Sequence, residues 1–225
     1  MSKLERIDPL VIILSVAMFL VFAYLLTWSG KHPDLAQKSM FLLMFGVMGI
    51  LGRFFWAFAF GEYIKISPNL PVSRAMLTAI SAMFIVMAAG TIWGQIRPGM
   101  SLEFLAGTTI TVQRAFFALA AISEELFFTW GVLLGGIALL SNRSLYFFET
   151  VKLPGELISL VGTCLLFALW HTAVYGTGAP LQLMFVYRFL FAGSYLLSGW
   201  IWGERYLGIA MLAHVSINLI ATGAM

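Results

Sequence analysis

The sequence predicts an all-α protein: a polytopic transmembrane helix bundle of about seven spans, forming a single membrane domain over residues 1–225. Two observations predict this class. Hydrophobic residues make up 61% of the chain and charged residues only 10%, whereas soluble domains carry about 25% charged residues. Apolar runs long enough to cross a bilayer as helices also recur along the chain, separated by short turns.

The predicted spans are bounded by turns that contain Pro and Gly, where proline removes a backbone donor and resists helix. The first run has no small-residue cleavage site before the charged turn that follows it, so we expect a retained span or signal anchor. In the second run glycine recurs every third residue, at Gly46, Gly49 and Gly52, which indicates close helix packing. In chain order the spans are 10–29, 39–60, 74–95, 114–140, 157–175, 181–202 and 206–222.

The Lys and Arg residues of the connections indicate orientation, because cytoplasmic loops carry the excess of positive charge. Their distribution favours a cytoplasmic N-terminus and an outside C-terminus, and we expect the plasma membrane. The net charge of +3 is a topology signal of this kind, so no nucleic-acid partner is expected. Seven basic residues lie on the N-terminal side and four on the other: Lys3, Arg6, Lys65, Arg74, Arg143, Lys152 and Arg205, against Lys31, Lys38, Arg97 and Arg114.

Two adjacent carboxylates, Glu124 and Glu125, lie in the middle of the apolar run 115–140. A single acid at the centre of a membrane helix costs about 2.5–3.5 kcal/mol even on the lenient insertion scales, so such groups are functional by default. Few polar side chains within other apolar runs are available as partners. We expect them to converge on the glutamates in one buried site: Arg53, His171, Arg188, His214 and Asn218.

Helix geometry predicts which of these side chains share a helix face. Adjacent positions are about 100° apart, so Glu124 and Glu125 are not expected to face one point. Positions i and i+4 share a face, so His214 and Asn218 point the same way. Peptide hydrolysis needs a base for water, an acid for the leaving amine and donors for the oxyanion. A buried glutamate suits the base that later becomes an acid, because desolvation disfavours its charged form.

Other interpretations stay open for the same residues. His171 at a helix end is typical of a structural hydrogen-bond partner, and His214 with Asn218 could simply join helices in the bilayer. Intramembrane acids and histidines also form proton or ion pathways. The alternative function is therefore a non-proteolytic membrane protein on the same fold: a scaffold, an immunity protein or a proton-coupled transporter. A transporter would be expected to show internal repeats, and the sequence shows none.

Three short motifs on successive spans resemble the CPBP family of CAAX proteases and bacteriocin-processing membrane proteins, also called Abi proteins. The motifs are Glu-Glu-x-x-x-Arg, Phe-x-x-x-His and His-x-x-x-Asn. They correspond here to Glu124–Glu125, to Phe167 with His171, and to His214 with Asn218. The resemblance covers about 120–220, within a CPBP-like core of spans four to seven at 114–222.

The resemblance implies a glutamate-dependent intramembrane endopeptidase acting on membrane-anchored, prenylated or C-terminally tagged polypeptides. It implies that Glu124 and His171 activate the attacking water, and that His214 and Asn218 stabilise the oxyanion. Glu125 is a supporting residue. The family's best-understood members work without metal in the site, so no cofactor is expected. Zinc is the alternative, and its ligands would be Glu124, His171 and His214, a common catalytic ligand set.

The sequence departs from the first motif at one position. The motif Arg falls at Thr129, and a threonine cannot neutralise Glu125. Glu125 must then be protonated or meet a cation from another helix. Arg53 and Arg188 are both otherwise unexplained buried charges, and our hypothesis is that Arg188 substitutes for the missing Arg as a second supporting residue.

Overall fold

The structure is a computed structural model that describes residues 6–7, 9–60, 65–66, 103–141, 155–175, 181–202 and 207–223. Nearly all of these residues are helical. A short parallel ladder joins two two-residue strands, β1 (Arg6–Ile7) and β2 (Lys65–Ile66), with Arg6 opposite Lys65. The prediction of an all-helical protein is therefore confirmed for the described part of the chain, apart from this minimal ladder.

The helices coincide with six of the predicted apolar runs, with ends that differ by at most four residues except at the start of the second, where the helix begins six residues earlier. Predicted span 74–95 lies outside the described residues. The helix for 114–140 consists of α3, a π-helical segment and α4 in direct succession, preceded by a short 3₁₀ turn at Glu103–Leu105. The helices are α1 (Pro9–Leu26), α2 (Pro33–Phe60), α3 (Ile110–Glu124), the π segment (Glu125–Leu133), α4 (Leu134–Ser141), α5 (Gly155–Tyr175), α6 (Leu181–Trp202) and α7 (Leu207–Gly223).

Four of these helical stretches are long and apolar enough to cross a membrane, as expected for a membrane protein. They are Pro9–Leu26, Pro33–Ala59, Ile110–Leu140 and Gly155–Ala173. Shorter apolar helices run over Leu181–Leu197 and Ala210–Leu219. The total of about seven spans stays a prediction.

The helix Ile110–Leu140 is the centre of the bundle. Of an 18-residue stretch within it, 78% is buried, against 22% for α1 and 28% for α2. Thr109 is the N-cap of this helix, and its hydroxyl accepts a hydrogen bond from the Val112 N–H at 3.4 Å. Just before the cap, Gly107 has a φ of +77°, a left-handed conformation that glycine adopts without strain. The glutamates therefore sit on the most enclosed helix of the described bundle.

Glycines let α2 pack directly on the backbone of the π segment. A Cβ atom at Gly49 would overlap the backbone of Leu126, and one at Gly131 would come within 3.2 Å of the Gly49 Cα. A Cβ atom at Gly46 would lie 3.2 Å from the Ser123 hydroxyl oxygen. The packing role expected for the glycines of the second span is thus present at Gly46 and Gly49. This contact sets α2 against the helix that carries the two glutamates.

Candidate active site

The two glutamates lie where the central helix changes its hydrogen-bond pattern. Glu124 is the last residue of α3, and Glu125 is the first residue of the nine-residue π segment. π-helical turns are rare and occur frequently at functional sites. Apolar periodicity does not signal this change, because π and α segments of a buried helix are equally apolar.

Glu125 is a fully buried carboxylate with a cation and a hydroxyl as partners. Arg188 on α6 donates from Nη1 to Glu125 Oε1 at 2.6 Å, and both side chains are 0% exposed. Thr129 donates its hydroxyl to Glu125 Oε2 and accepts a bond from Arg188 Nη2. The expected contact between Arg188 and Glu125 is therefore present. Arg53, the other candidate, is buried on α2.

Aromatic rings surround the Arg188 guanidinium. Its central carbon lies 5.3 Å from the centre of the Phe167 ring and 5.7 Å from that of Phe128. A cation over an aromatic face is attracted by the ring quadrupole, and more strongly where water is excluded. These rings belong to α5 and to the π segment. Arg188 on α6 thus contacts two other elements of the site, α5 and the π segment that carries Glu125.

Glu124 faces two imidazole rings. Its Oε1 lies 3.6 Å from His171 Nε2, and its Oε2 lies 3.9 Å from His214 Nε2. Both separations exceed ordinary hydrogen-bond length. Glu124 Oε1 is buried and has no hydrogen-bond partner among the described residues. The carboxylate thus lies between the two rings, and its Oε1 makes no structural hydrogen bond to a described residue. An oxygen in this position is suited to acid–base chemistry.

His214 is shared between the two glutamates. Its Nδ1 lies 3.0 Å from Glu125 Oε1, while its Nε2 faces Glu124. The Phe191 ring stacks on the imidazole with a centroid distance of 4.6 Å and an angle of 23°. The turn of about 100° between adjacent helix positions therefore does not separate the two carboxylates, because one histidine presents a different nitrogen to each.

His171 is oriented by its own helix. Its Nδ1 lies 3.1 Å from the Phe167 carbonyl oxygen one turn earlier on α5, and its ring packs on the Phe167 ring at 4.1 Å. Because a carbonyl oxygen only accepts, Nδ1 is the donor in this bond. The other nitrogen, Nε2, is left facing Glu124. The structural role and the candidate catalytic role of this histidine thus use different nitrogens.

Asn218 lies one turn from His214 on α7, as expected, but its amide is directed elsewhere. Its Nδ2 donates to the Phe117 carbonyl oxygen at 3.2 Å, two turns before Glu124 on α3. This bond joins α7 to α3 in the way that polar residues join membrane helices.

The structure therefore brings five of the predicted residues into one cluster: Glu124, Glu125, His171, Arg188 and His214. Sequence reasoning missed the bridging role of Thr129, although its i+4 spacing from Glu125 was a usable signal. It also missed the Phe191 ring on His214, for which the sequence offers no signal. Both residues add to the fixed geometry of the cluster.

The predicted zinc ligands are Glu124, His171 and His214. One carboxylate and two imidazoles form a chemically suitable donor set for zinc. Within the described ranges, no group of three or more His, Cys, Asp or Glu side chains was found in an arrangement that holds a metal ion. The ion would polarise a carbonyl or bound water if present.

Comparison with known proteins adds no assignment to this geometry. The chain matches no sequence family, no curated protein and no solved structure.

Proposed function

We propose that this chain is a glutamate-dependent intramembrane endopeptidase of the CPBP type. The observation that carries the proposal is the position of Glu124, whose two carboxylate oxygens face the Nε2 atoms of His171 and His214 at 3.6 and 3.9 Å. A buried carboxylate beside two imidazoles is the arrangement that activates a water molecule and then returns its proton. The three motifs described above support the same assignment.

In the proposed reaction, a water molecule beside Glu124 Oε1 and His171 Nε2 attacks the carbonyl carbon of the substrate peptide bond. Glu124 takes a proton from the water as the new C–O bond forms, and the carbonyl π electrons move to the oxygen. His214 and Asn218, which lie one turn apart on α7, are the candidate donors to this oxyanion. When the tetrahedral species collapses, the C–N bond breaks and the leaving nitrogen receives the proton.

The substrates proposed are membrane-anchored, prenylated or C-terminally tagged polypeptides, because Glu124, Glu125 and His171 lie on helices able to span a bilayer. We further propose seven spans with a cytoplasmic N-terminus in the plasma membrane. The site residues are almost completely buried, with His171 the most exposed of the cluster at 8%. A substrate therefore has to enter between helices or through an opening of the bundle.

The same burial favours one alternative from another class, a proton-conducting membrane protein. Ionisable residues enclosed in a helix bundle are typical of proton relays in transporters as well as of catalytic sites. The two functions differ in what Glu124 does. An endopeptidase loses peptide cleavage when Glu124 is neutralised, whereas a transporter loses proton flux and shows no cleavage in the first place.

The test is cleavage of a library of lipid-anchored and single-span peptides by the purified chain in liposomes. Glu124→Gln and His171→Ala are expected to abolish cleavage. The matched controls are Glu156→Gln, at the start of α5, and His32→Ala, in the turn before α2, which are expected to retain cleavage. Full activity of Glu124→Gln, or proton flux without cleavage in the wild type, would refute the proposal.

A chelator arm addresses metal dependence in the same assay. Cleavage that survives chelation supports the metal-free reaction. Cleavage that is lost on chelation and restored by added zinc supports a zinc-dependent reaction, for which Glu124, His171 and His214 are the candidate ligands.

A further inference from the structure

The direction of each hydrogen bond around Glu125 follows from the donors available. Arginine carries only N–H donors, so Thr129 Oγ1 accepts from Arg188 Nη2. The single hydroxyl hydrogen of Thr129 is then left to donate to Glu125 Oε2. With Arg188 Nη1 on Oε1, both oxygens of Glu125 accept hydrogen bonds. Glu125 is therefore an ionised carboxylate, since its protonation would leave the buried guanidinium without a counter-ion.

This ionised carboxylate decides where His214 carries its hydrogen. Nδ1 of His214 lies 3.0 Å from Glu125 Oε1, and an ionised carboxylate has no hydrogen to donate. Nδ1 is therefore the protonated nitrogen. In the neutral ring, Nε2 then holds a lone pair, and it is directed at Glu124 Oε2. The Phe191 ring, stacked on one face of the imidazole, restricts its rotation.

We propose that Glu125 is a positioning residue for His214. Together with Arg188 and Thr129 it fixes the Nδ1–H form, so that the basic Nε2 faces Glu124 and His214 becomes the carrier of the reaction proton. This inference deepens the proposed function and rests on it for its chemistry. The relation matches that of a carboxylate which orients the histidine of a hydrolase triad and stabilises its imidazolium.

The proton path then has a definite order. Glu124 takes the proton from water on Oε1, and rotation of its carboxyl group then presents this O–H to His214 Nε2. The separation between the carboxyl group and Nε2, 3.9 Å at rest, closes in this step, since catalytic hydrogen bonds tighten in the substrate complex. The imidazolium formed is stabilised by the negative charge of Glu125. Its new Nε2–H is the donor that a neutral His214 lacks, and it first faces the oxyanion and then protonates the leaving amine. His214 thus donates to the oxyanion only after it has received the proton.

The test is the tautomeric state of His214, read by nitrogen-15 NMR on the full chain labelled at histidine in detergent micelles. The chain has three histidines, so His32→Ala and His171→Ala assign all the signals. The expected result is a protonated Nδ1 and a lone-pair Nε2 at His214. His171 is expected to show the same form through its bond to the Phe167 carbonyl. A wild-type His214 with its hydrogen on Nε2 would overturn the inference, without the need for any variant.

A double substitution that removes both charges of the ion pair tests whether Glu125 causes the Nδ1–H form of His214. Glu125→Leu combined with Arg188→Met removes both partners of the buried ion pair, a replacement that protein interiors tolerate better than the loss of one partner. The expected result is that His214 loses its preference for Nδ1–H while His171, held by a backbone carbonyl, does not change. An unchanged His214 in this variant would refute the role of Glu125.

Glu125→Gln separates the effect of Glu125 on the orientation of His214 from the effect of its negative charge on the imidazolium. Its amide oxygen can still accept from Arg188 and His214, so the tautomer is expected to persist. The imidazolium loses its counter-charge, and kcat is expected to fall about 10²–10⁴-fold with KM unchanged, the range typical of general acid–base groups. An unchanged kcat would overturn the proton-carrier role. Absence of cleavage in the wild type, with Nδ1–H found at His214, would refute the proposed function and the proton path but leave the positioning of His214 by Glu125 standing.

Discussion

The buried ion pair between Arg188 and Glu125 leads to a quantitative stability prediction. The two side chains are 0% exposed, and their closest atoms lie 2.6 Å apart. Arg188→Met keeps much of the apolar contact with the neighbouring rings but leaves the Glu125 carboxylate without its cation. Removing one partner of a buried pair destabilises by about 3–5 kcal/mol, so we expect a loss of that size in the free energy of unfolding.

A double-mutant cycle isolates this pair from the rest of the network. Replacing a buried pair by apolar residues is often neutral or stabilising by about 1–4 kcal/mol, so Glu125→Leu with Arg188→Met is expected to recover most of the loss. The measurement is equilibrium unfolding in mixed micelles, followed by the fluorescence of the seven tryptophans. Arg114→Met, an exposed position on α3, is the matched control and is expected to change stability by less than about 0.5 kcal/mol.

Two results of the cycle would contradict the coupling between Arg188 and Glu125. The first is a loss of less than about 1 kcal/mol for Arg188→Met, which is the value of an exposed pair. The second is a double variant as unstable as the sum of its single variants, since uncoupled sites add. Either result would mean that Glu125 is not neutralised by Arg188.

Two further substitutions test the packing and the charge position. Gly49→Ala is expected to lower the free energy of unfolding by about 1–3 kcal/mol and to lower cleavage, because its Cβ would overlap the backbone of the π segment. The control is Gly162→Ala, which has open space at its Cβ. Equal losses of stability in both variants would contradict the packing argument. Thr129→Arg in the Arg188→Met background restores a cation at the motif position, and it is expected to recover stability and cleavage relative to Arg188→Met alone. No recovery would mean that the two arginine positions are not equivalent.

The sequence alone determined the class of the fold and most helix bounds. Prolines and glycines end the apolar runs, so the run predicted at 181–202 is the helix Leu181–Trp202, and that at 157–175 is Gly155–Tyr175. The physical reason is local. An apolar run in a bilayer has to satisfy its backbone groups within itself, which makes it a helix over its whole length.

The sequence also determined which residues were candidates for the site, since buried polar side chains are few and helical spacing places His214 beside Asn218 on one face. It could not determine how those faces meet. Glu125 contacts Arg188 and His214, which are 63 and 89 positions away in the chain, and the Asn218 amide bonds to the Phe117 carbonyl of α3.

Those contacts are a property of the tertiary fold, because they depend on how each helix is rotated about its axis and where it crosses its neighbours. At Gly49 and Gly131 the absence of side chains lets α2 press on the π segment. Such close approach is set by the packing of both helices together, which neither apolar run specifies alone. The orientation that puts Arg188, rather than Arg53, on Glu125 follows from that packing.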